Sequence, residues 1–260
     1  MTFVPKPNIS DDSSQKEISA EIETVGNVQQ HRNRIVFEQK NEAPKPEENT
    51  ELNKSTITAQ VKAVLTKLDY STAGILLGLK NSGCPFNMTR HIKIDDCSGQ
   101  GFYDYRHQTI NLCQKHWLKS TNEGELREFL VRNLVSAYDH CQTDISKLSE
   151  EQYLDFRNCS QIRQFTLSKT CDYEAEGSSK MKEDGFKFCV LENSSSSLEN
   201  SLPEIYKTEN IEDSFRKVFL SCYEDKRPFD RVPTSRRDWE LALKDLTFSG
   251  NRAKNPAKTY

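Results

Sequence analysis

The chain has 260 residues, a formal net charge of -3, 35% hydrophobic residues and 29% charged residues. This composition leaves room for one folded core of roughly 180 residues with extensions at its ends. It excludes the broad basic surface that nucleic-acid binding requires, so we expect no nucleic-acid partner. We also expect no transmembrane segment, because no apolar stretch approaches the about 20 residues that cross a bilayer.

The first 54 residues are polar, contain few large apolar side chains and include four prolines, Pro5, Pro7, Pro44 and Pro46. Such a segment cannot bury enough surface to fold alone, so we predict an extended or disordered arm over residues 1–54. A helix is predicted from Ser55, which can cap it, because apolar residues then recur at helical spacing. A second short helical run covers residues 73–79.

Residues 103–112 follow a loop that contains Cys84 and Cys97, and their pattern predicts two short strands in a hairpin. Residues 126–141 then form an amphipathic pattern that predicts a helix, and a third helix is predicted over 150–167.

The C-terminal third begins with residues 172–204, whose glycines and serines predict a surface loop. Helices are predicted over 211–225 and 238–246, and residues 247–260 form a basic tail. We therefore predict one folded domain over residues 55–246 between the arm and the tail.

Eight cysteines occur in the predicted domain, and no two of them are closer than twelve residues. This spacing excludes Cys-x-x-Cys metal knuckles and is compatible with disulfides between separate elements. Buried free thiols are the alternative. The spacing does not reveal the pairing of the eight candidates, which are Cys84, Cys97, Cys113, Cys141, Cys159, Cys171, Cys189 and Cys222.

The run RNLVSAYDHC, from Arg132 to Cys141, resembles the zinc-binding helix of a metalloprotease. Such a helix carries His-Glu-x-x-His, because two imidazoles four residues apart share one helical face and the glutamate polarises a zinc-bound water. Here these positions hold Arg132, Asn133 and Ser136. A guanidinium has no lone pair for a cation, an amide cannot accept the proton, and a serine hydroxyl is a poor zinc ligand.

The surroundings of this run resemble one family, the mitochondrial intermembrane-space metalloproteases that mature the precursor of ATP synthase subunit a. That family carries a run similar to HELIHAYDHC, and it has an acidic residue where this chain has Gln161 within CSQIR. The resemblance implies an α+β fold, a mostly helical zincin-like metalloprotease domain with a short β-hairpin, stapled by disulfides in an oxidising compartment. Five blocks carry it: residues 78–97, 101–114, 132–141, 158–171 and 218–233.

Four positions, Arg132, Asn133, Ser136 and Gln161, depart from the family pattern at every group assigned to zinc or to proton transfer. From this we predict no bound metal, no cofactor and no enzyme activity. The predicted function is a structural or accessory subunit of a mitochondrial inner-membrane complex, either the respiratory chain or ATP synthase. Its partners are protein subunits, and it lies in the intermembrane space, peripheral to the inner membrane. The alternatives are an assembly chaperone for ATP synthase and an active metalloprotease with an unusual metal set.

Arg132 itself has two interpretations. In one, it fills the vacated site as a fixed cation, paired with Glu128 or Asp139 and directed toward Gln161. In the other, it points to solvent. The histidines offer no replacement for the missing ligands, because none of His91, His107, His116 and His140 is spaced as a metal pair.

Overall fold

A computed structural model describes residues 50–67, 69–120, 122–168, 170–171, 179–201, 208–230, 233 and 236–252. The predicted arm up to residue 49, part of the predicted 172–204 loop and the last eight residues lie outside this range. The boundaries of the predicted arm, domain and tail therefore stay predictions.

Nine helices and three strands form in the described residues, and most of the helices begin or end within a few residues of their predicted limits. In chain order they are α1 (Thr50–Thr66), α2 (Tyr70–Asn81), α3 (Met88–His91), β1 (Ile92–Asp95), β2 (Gly101–Asp104), β3 (Thr109–Cys113), α4 (Gln114–Trp117), α5 (Glu123–Gln142), α6 (Glu150–Leu167), α7 (Ser179–Ser201), α8 (Thr208–Glu224) and α9 (Arg236–Arg252). The predicted α+β class with mostly helical content is confirmed. Helix α1 begins at Thr50 rather than Ser55, whose hydroxyl instead donates to Leu52 O inside the helix.

The small sheet has the strand order β1-β3-β2. The hairpin of β2 and β3 is confirmed, and its turn is fixed by the Asp104 carboxylate, which accepts hydrogen bonds from the backbone N–H groups of Arg106 and His107. Gln108 adopts a φ of 57° in this turn. Strand β1 pairs parallel with β3 and was not predicted, because its four residues lie in a segment that we interpreted as loop.

Helix α5 lies at the centre of the fold, where it contacts α1, α2 and α6 and packs on β2 and β3. The core around it is made of fully buried apolar side chains, among them Ile57, Val61, Ile75, Ile110, Leu112, Leu130 and Leu134. Helices α6, α7 and α8 pack against one another on a further group of buried residues that includes Ile162, Val190, Leu191, Phe215 and Phe219.

Helix α7 corrects the prediction of a surface loop over residues 172–204. Phe186, Val190 and Leu191 recur at helical spacing and are buried at 3% exposure or less. Ser194 is also buried, and its hydroxyl donates to Val190 O. The apolar stripe that faces α6 outweighs the loop preference of the serines, which is why the segment forms a helix.

All eight cysteines form disulfides, so the predicted stapling is confirmed. One bridge ties the segment after α2 to the end of α5, and one ties the loop before β2 to β3. A third joins α6 to α8, and the fourth joins the segment after α6 to α7. The pairs are Cys84–Cys141, Cys97–Cys113, Cys159–Cys222 and Cys171–Cys189. Among the described helices, none combines the length and the apolar character needed to cross a membrane.

Gly78 in α2 allows a close approach of the segment that follows α8. A Cβ at this position would lie 2.5 Å from Pro228 Cγ and 2.7 Å from Pro228 Cβ. A proline ring cannot rotate away, so we expect Gly78→Ala to lower the free energy of unfolding by about 1–2 kcal/mol, even though alanine favours a helix. Urea unfolding measures this change.

Gly185→Ala is the matched control, because Gly185 also lies in a helix but no atom lies within 4 Å of the added Cβ. Here we expect a gain of about 0.5–1 kcal/mol. Equal effects of the two substitutions would contradict the close packing at Gly78.

Candidate functional site

The side chains that depart from the zinc-protease pattern lie on α5, whose start is fixed by local capping. The Asn122 side chain accepts hydrogen bonds from the N–H groups of Gly124 and Glu125. Leu126, Phe129 and Leu130 are buried on the core side of the helix. Arg132, Ser136 and His140 follow one another at intervals of four residues, so they form one stripe along the helix.

Arg132 is partly buried on this stripe and does not simply point to solvent. Its Nη2 donates to Gln100 Oε1 at 3.0 Å, and its Nη1 donates to Thr170 Oγ1 at 3.4 Å. The guanidinium carbon also lies 5.5 Å from the centre of the Phe165 ring. Burial lowers the pKa of Arg132, while the charges of Glu128 and Glu125 act in the opposite direction.

The structure does not support the predicted partners of Arg132. Asp139 pairs instead with Arg163 of α6, at 2.9 Å. Glu128 affects Arg132 only through its charge, without an ion-pair contact within 4.0 Å in the described residues. Gln161 lies further along α6 and bonds elsewhere. The reason is that Arg132 reaches toward the sheet, where Gln100 precedes β2.

Gln100 is held in place by bonds that do not involve Arg132. Its carbonyl oxygen accepts from Trp117 Nε1 at 2.6 Å and from the Cys113 N–H at 3.1 Å. Its Nε2 donates to Glu125 Oε1 at 2.8 Å. Glu125 has further hydrogen bonds from Ser120 and His116, which together with Gln100 hold the pKa of Glu125 below its usual value. Arg132 is therefore oriented by a fixed acceptor.

Ser136 and Gln161 are joined in a separate network of uncharged groups. Gln164 Nε2 donates to Ser136 Oγ at 2.8 Å and lies 3.3 Å from Gln161 Oε1. Gln161 Nε2 donates in turn to Ser197 Oγ at 2.7 Å, which ties α6 to α7. Gln164 thus links Ser136 to Gln161, and Arg132 takes no part in this network.

These residues do not fit a zinc ion. Arg132 offers only donors, Asn133 uses its amide nitrogen to donate to Phe129 O at 2.7 Å, and Ser136 accepts from Gln164. Zinc sites in proteins use histidine, cysteine or carboxylate ligands. In the part of the chain that the structure describes, no group of three or more such side chains could hold a metal ion. We therefore derive no chemical step through a metal at this position.

Two aromatic hydroxyls beside the stripe were not singled out from the sequence. Tyr103 Oη lies 3.2 Å from His140 Nδ1, and Tyr105 Oη donates to Ser160 Oγ at 3.3 Å. Burial lowers the pKa of His140 and raises the pKa of Tyr103, so both groups are neutral at pH 7. Both shifts oppose the ion pair that proton transfer from Tyr103 to His140 would create, so the two side chains share a neutral hydrogen bond between β2 and α5. Alternation in the hairpin, which places Tyr103 and Tyr105 on one face, was the available signal.

The other three histidines in the described part of the chain each have their own partner away from the stripe. His91 Nδ1 accepts from the Asn87 N–H, His107 bonds to Asp104, and His116 bonds to Glu125. His140 and Cys141, which are neighbours on α5, form no dyad because Cys141 is bridged to Cys84.

Comparison with known proteins identifies the family. A sequence model of the Peptidase M76 family matches residues 57–230, and the chain therefore belongs to this family. A protein named mitochondrial inner membrane protease ATP23 homolog from Danio rerio is 29% identical over 219 residues, covering 77% of this chain and 82% of its own length. Its counterpart from Xenopus laevis is 29% identical over 211 residues, covering 76% and 85%. The one from Homo sapiens is 27% identical over 183 residues, covering 66% and 68%. No solved structure matches the chain.

These findings contradict two predictions, that the chain is not an enzyme and that it is a purely structural or accessory subunit. The family is a peptidase family, and the relatives are named as proteases. The predictions depended on four side chains of α5 and α6, whereas the match extends from α1 to the segment after α8. A few substituted positions therefore do not outweigh a match to the family model that covers residues 57–230.

The contacts of Arg132 predict how its removal affects stability. Because no carboxylate among the described residues pairs with this partly buried cation, replacing it with glutamine removes a desolvation cost and the two described hydrogen bonds. We expect Arg132→Gln to change the free energy of unfolding by less than about 1 kcal/mol in either direction. Urea unfolding measures it, and a loss of more than about 3 kcal/mol would contradict this environment.

Proposed function

We propose that this chain processes polypeptides at the mitochondrial inner membrane, on the side of the intermembrane space. The observation that carries the proposal is membership of the Peptidase M76 family over residues 57–230. The relatives are named mitochondrial inner membrane proteases, which supports a location at that membrane. Its substrates, on this proposal, are protein subunits of an inner-membrane complex, and the protein attaches to the membrane peripherally.

The geometry beside α5 suits an extended polypeptide. Strand β2 pairs only with β3 among the described strands, so its outer edge has backbone groups that can pair with a bound chain. Phe102 in this strand is 53% exposed, which offers an apolar contact at the same edge. The His140 and Tyr103 pair lies on the α5 side of the strand. We propose that a substrate adds to the sheet along β2.

A matched pair of substitutions tests the proposal in mitochondria that lack the protein and are supplied with variants. Phe102→Lys places a charge at the β2 edge, and Phe188→Lys changes an equally exposed phenylalanine, at 48%, on α7. Mass spectrometry of protein N termini reports processing. We expect longer N termini on inner-membrane proteins in the absence of the protein. Wild type and Phe188→Lys restore the normal termini.

Phe102→Lys is expected to lower the rate of restoration about tenfold, because a buried phenylalanine contact contributes about 1.5–3 kcal/mol. Identical N termini with and without the protein would reject the processing function. Equal rescue by both lysine variants would reject the β2 edge as the substrate site while leaving the processing function in place.

A further inference from the structure

Arg132 is a charged group that has no ion-pair partner among the residues that the structure describes. The described part of the chain offers it two neutral acceptors, Gln100 Oε1 and Thr170 Oγ1, and no carboxylate within ion-pair distance. Arg132 differs in this from Arg127 of α5, which pairs with Asp69, and from Arg163 of α6, which pairs with Asp139. A guanidinium group has five N–H donors, and these two bonds use only two of them. Donors of Arg132 therefore remain that can bind a ligand.

Three neighbouring side chains fix the orientation of the Arg132 guanidinium group. The Phe165 ring lies under the guanidinium, Gln100 accepts from one nitrogen, and Thr170 accepts from the other. Thr170 also bonds to Ser168 Oγ at 2.9 Å. A side chain held in this way loses little conformational entropy when a ligand binds, which increases affinity.

Two disulfides hold the acceptors of Arg132. Gln100 lies in the loop closed by Cys97–Cys113, and its carbonyl accepts from the Cys113 N–H. Thr170 directly precedes Cys171, which is bridged to Cys189 of α7. Both acceptors therefore lie on covalently constrained segments, and the site that they form with Arg132 is built before any ligand arrives.

The position of Arg132 connects it to the proposed substrate edge. Gln100 immediately precedes Gly101, the first residue of β2, so a chain added along β2 would pass beside the guanidinium. Planar guanidinium groups match carboxylates with paired hydrogen bonds. We propose that Arg132, with Gln100, Thr170 and Phe165, forms a binding site for a carboxylate of the bound polypeptide. This inference rests on the proposed function, because it assumes a polypeptide at the β2 edge.

A peptide array tests the inference. The purified, oxidised protein is applied to overlapping 15-residue peptides that cover mitochondrial inner-membrane proteins, each made in three forms. One form is unchanged with an amidated C terminus, one has each Asp or Glu replaced by Asn or Gln, and one has a free C-terminal carboxylate. We expect bound peptides to weaken about tenfold when the carboxylate that Arg132 recognises is neutralised. The amidated and free forms distinguish a side-chain carboxylate from a terminal one.

Variants complete the test. Arg132→Gln is expected to bind the acidic and the neutral forms equally, and Arg132→Lys to recover only part of the preference, since lysine lacks the fork. Arg127→Gln, on the same helix but paired with Glu123, is expected to keep the full preference of wild type. Circular dichroism confirms that each variant is folded.

Each outcome bears on one of the two proposals. Peptides bound without regard to carboxylates, an unchanged preference in Arg132→Gln, or no bound peptide at all would overturn the carboxylate site. Normal N-terminal processing in mitochondria together with any of these results would leave the proposed function standing. Carboxylate-selective binding without any processing would support the site and reject the proposed function.

Discussion

Replacement of Arg163 by methionine is expected to lower the free energy of unfolding by about 3–5 kcal/mol, because it leaves the buried carboxylate of Asp139 without its counter-ion. Arg163 is 2% exposed. Its Nε donates to Asp139 Oδ1 at 2.9 Å, and its other nitrogens bond to Asp225 and to the carbonyl oxygen of Arg227. One side chain thus joins α5, α6 and the segment after α8.

The two carboxylates respond differently to the buried position. Burial raises the pKa of Asp139, and Arg163 acts in the opposite direction. Burial also raises the pKa of Asp225, but hydrogen bonds from Arg227 and the charge of Arg163 lower it below its usual value. Without Arg163, Asp139 has no described cationic partner, so it must either remain buried as an unpaired charge or bind a proton.

The control for this prediction is Lys217→Met on α8, which removes a cation that is 55% exposed and paired with Glu151 and Asp155. Exposed ion pairs contribute little, so we expect a change of less than about 1 kcal/mol. Adding Asp139→Asn to Arg163→Met is expected to restore part of the loss. Urea unfolding of the wild type, Lys217→Met, Arg163→Met and the double variant measures these changes in the free energy of unfolding. A loss below about 1 kcal/mol for Arg163→Met would show that the cluster does not stabilise the fold.

Removal of the Cys159–Cys222 bridge is expected to have the second large effect, a loss of about 4 kcal/mol, because the bridge closes a long loop. The two cysteines are 63 residues apart and join α6 to α8, whereas Cys97 and Cys113 are only 16 residues apart. Closing a longer loop removes more conformational entropy from the unfolded chain. For Cys97→Ala with Cys113→Ala, the smaller loop predicts a loss of about 3 kcal/mol.

Guanidinium unfolding of the two double-alanine proteins, with the other three bridges oxidised in each, compares these losses directly. Mass spectrometry of the alkylated proteins checks that the remaining cysteines are paired. If the short-loop variant loses as much stability as the long-loop variant, or more, then loop entropy does not govern the contribution of these bridges.

Much of the fold could be predicted from the sequence because its helices carry strong local signals. Helix α6 begins at Glu150 as predicted, since Ser149 and Gln152 form a capping box. The hairpin also followed from local patterns, whereas the stapling by disulfides followed from the family resemblance. The parallel strand β1 could not be predicted, because its four residues gain a partner only when the distant strand β3 is in place.

The candidate site was only partly predictable. The sequence shows which chemical groups stand on the α5 stripe, since Arg132, Ser136 and His140 are spaced by one helical turn. It could not show that Arg132 bonds to Gln100 and Thr170, because these partners lie 32 and 38 residues away along the chain. Nor could four side chains on two helices predict the function, as the protease names of the relatives demonstrate.

Cleavage by the purified protein tests the proposed processing function most directly. The oxidised protein is incubated with precursors of mitochondrial inner-membrane proteins made by cell-free synthesis, and mass spectrometry identifies the products. We predict a shortened polypeptide with one new N terminus, formed in proportion to the amount of protein, and formed more slowly by Phe102→Lys than by Phe188→Lys. Precursors that stay intact beside folded protein with all four disulfides present would contradict the proposal.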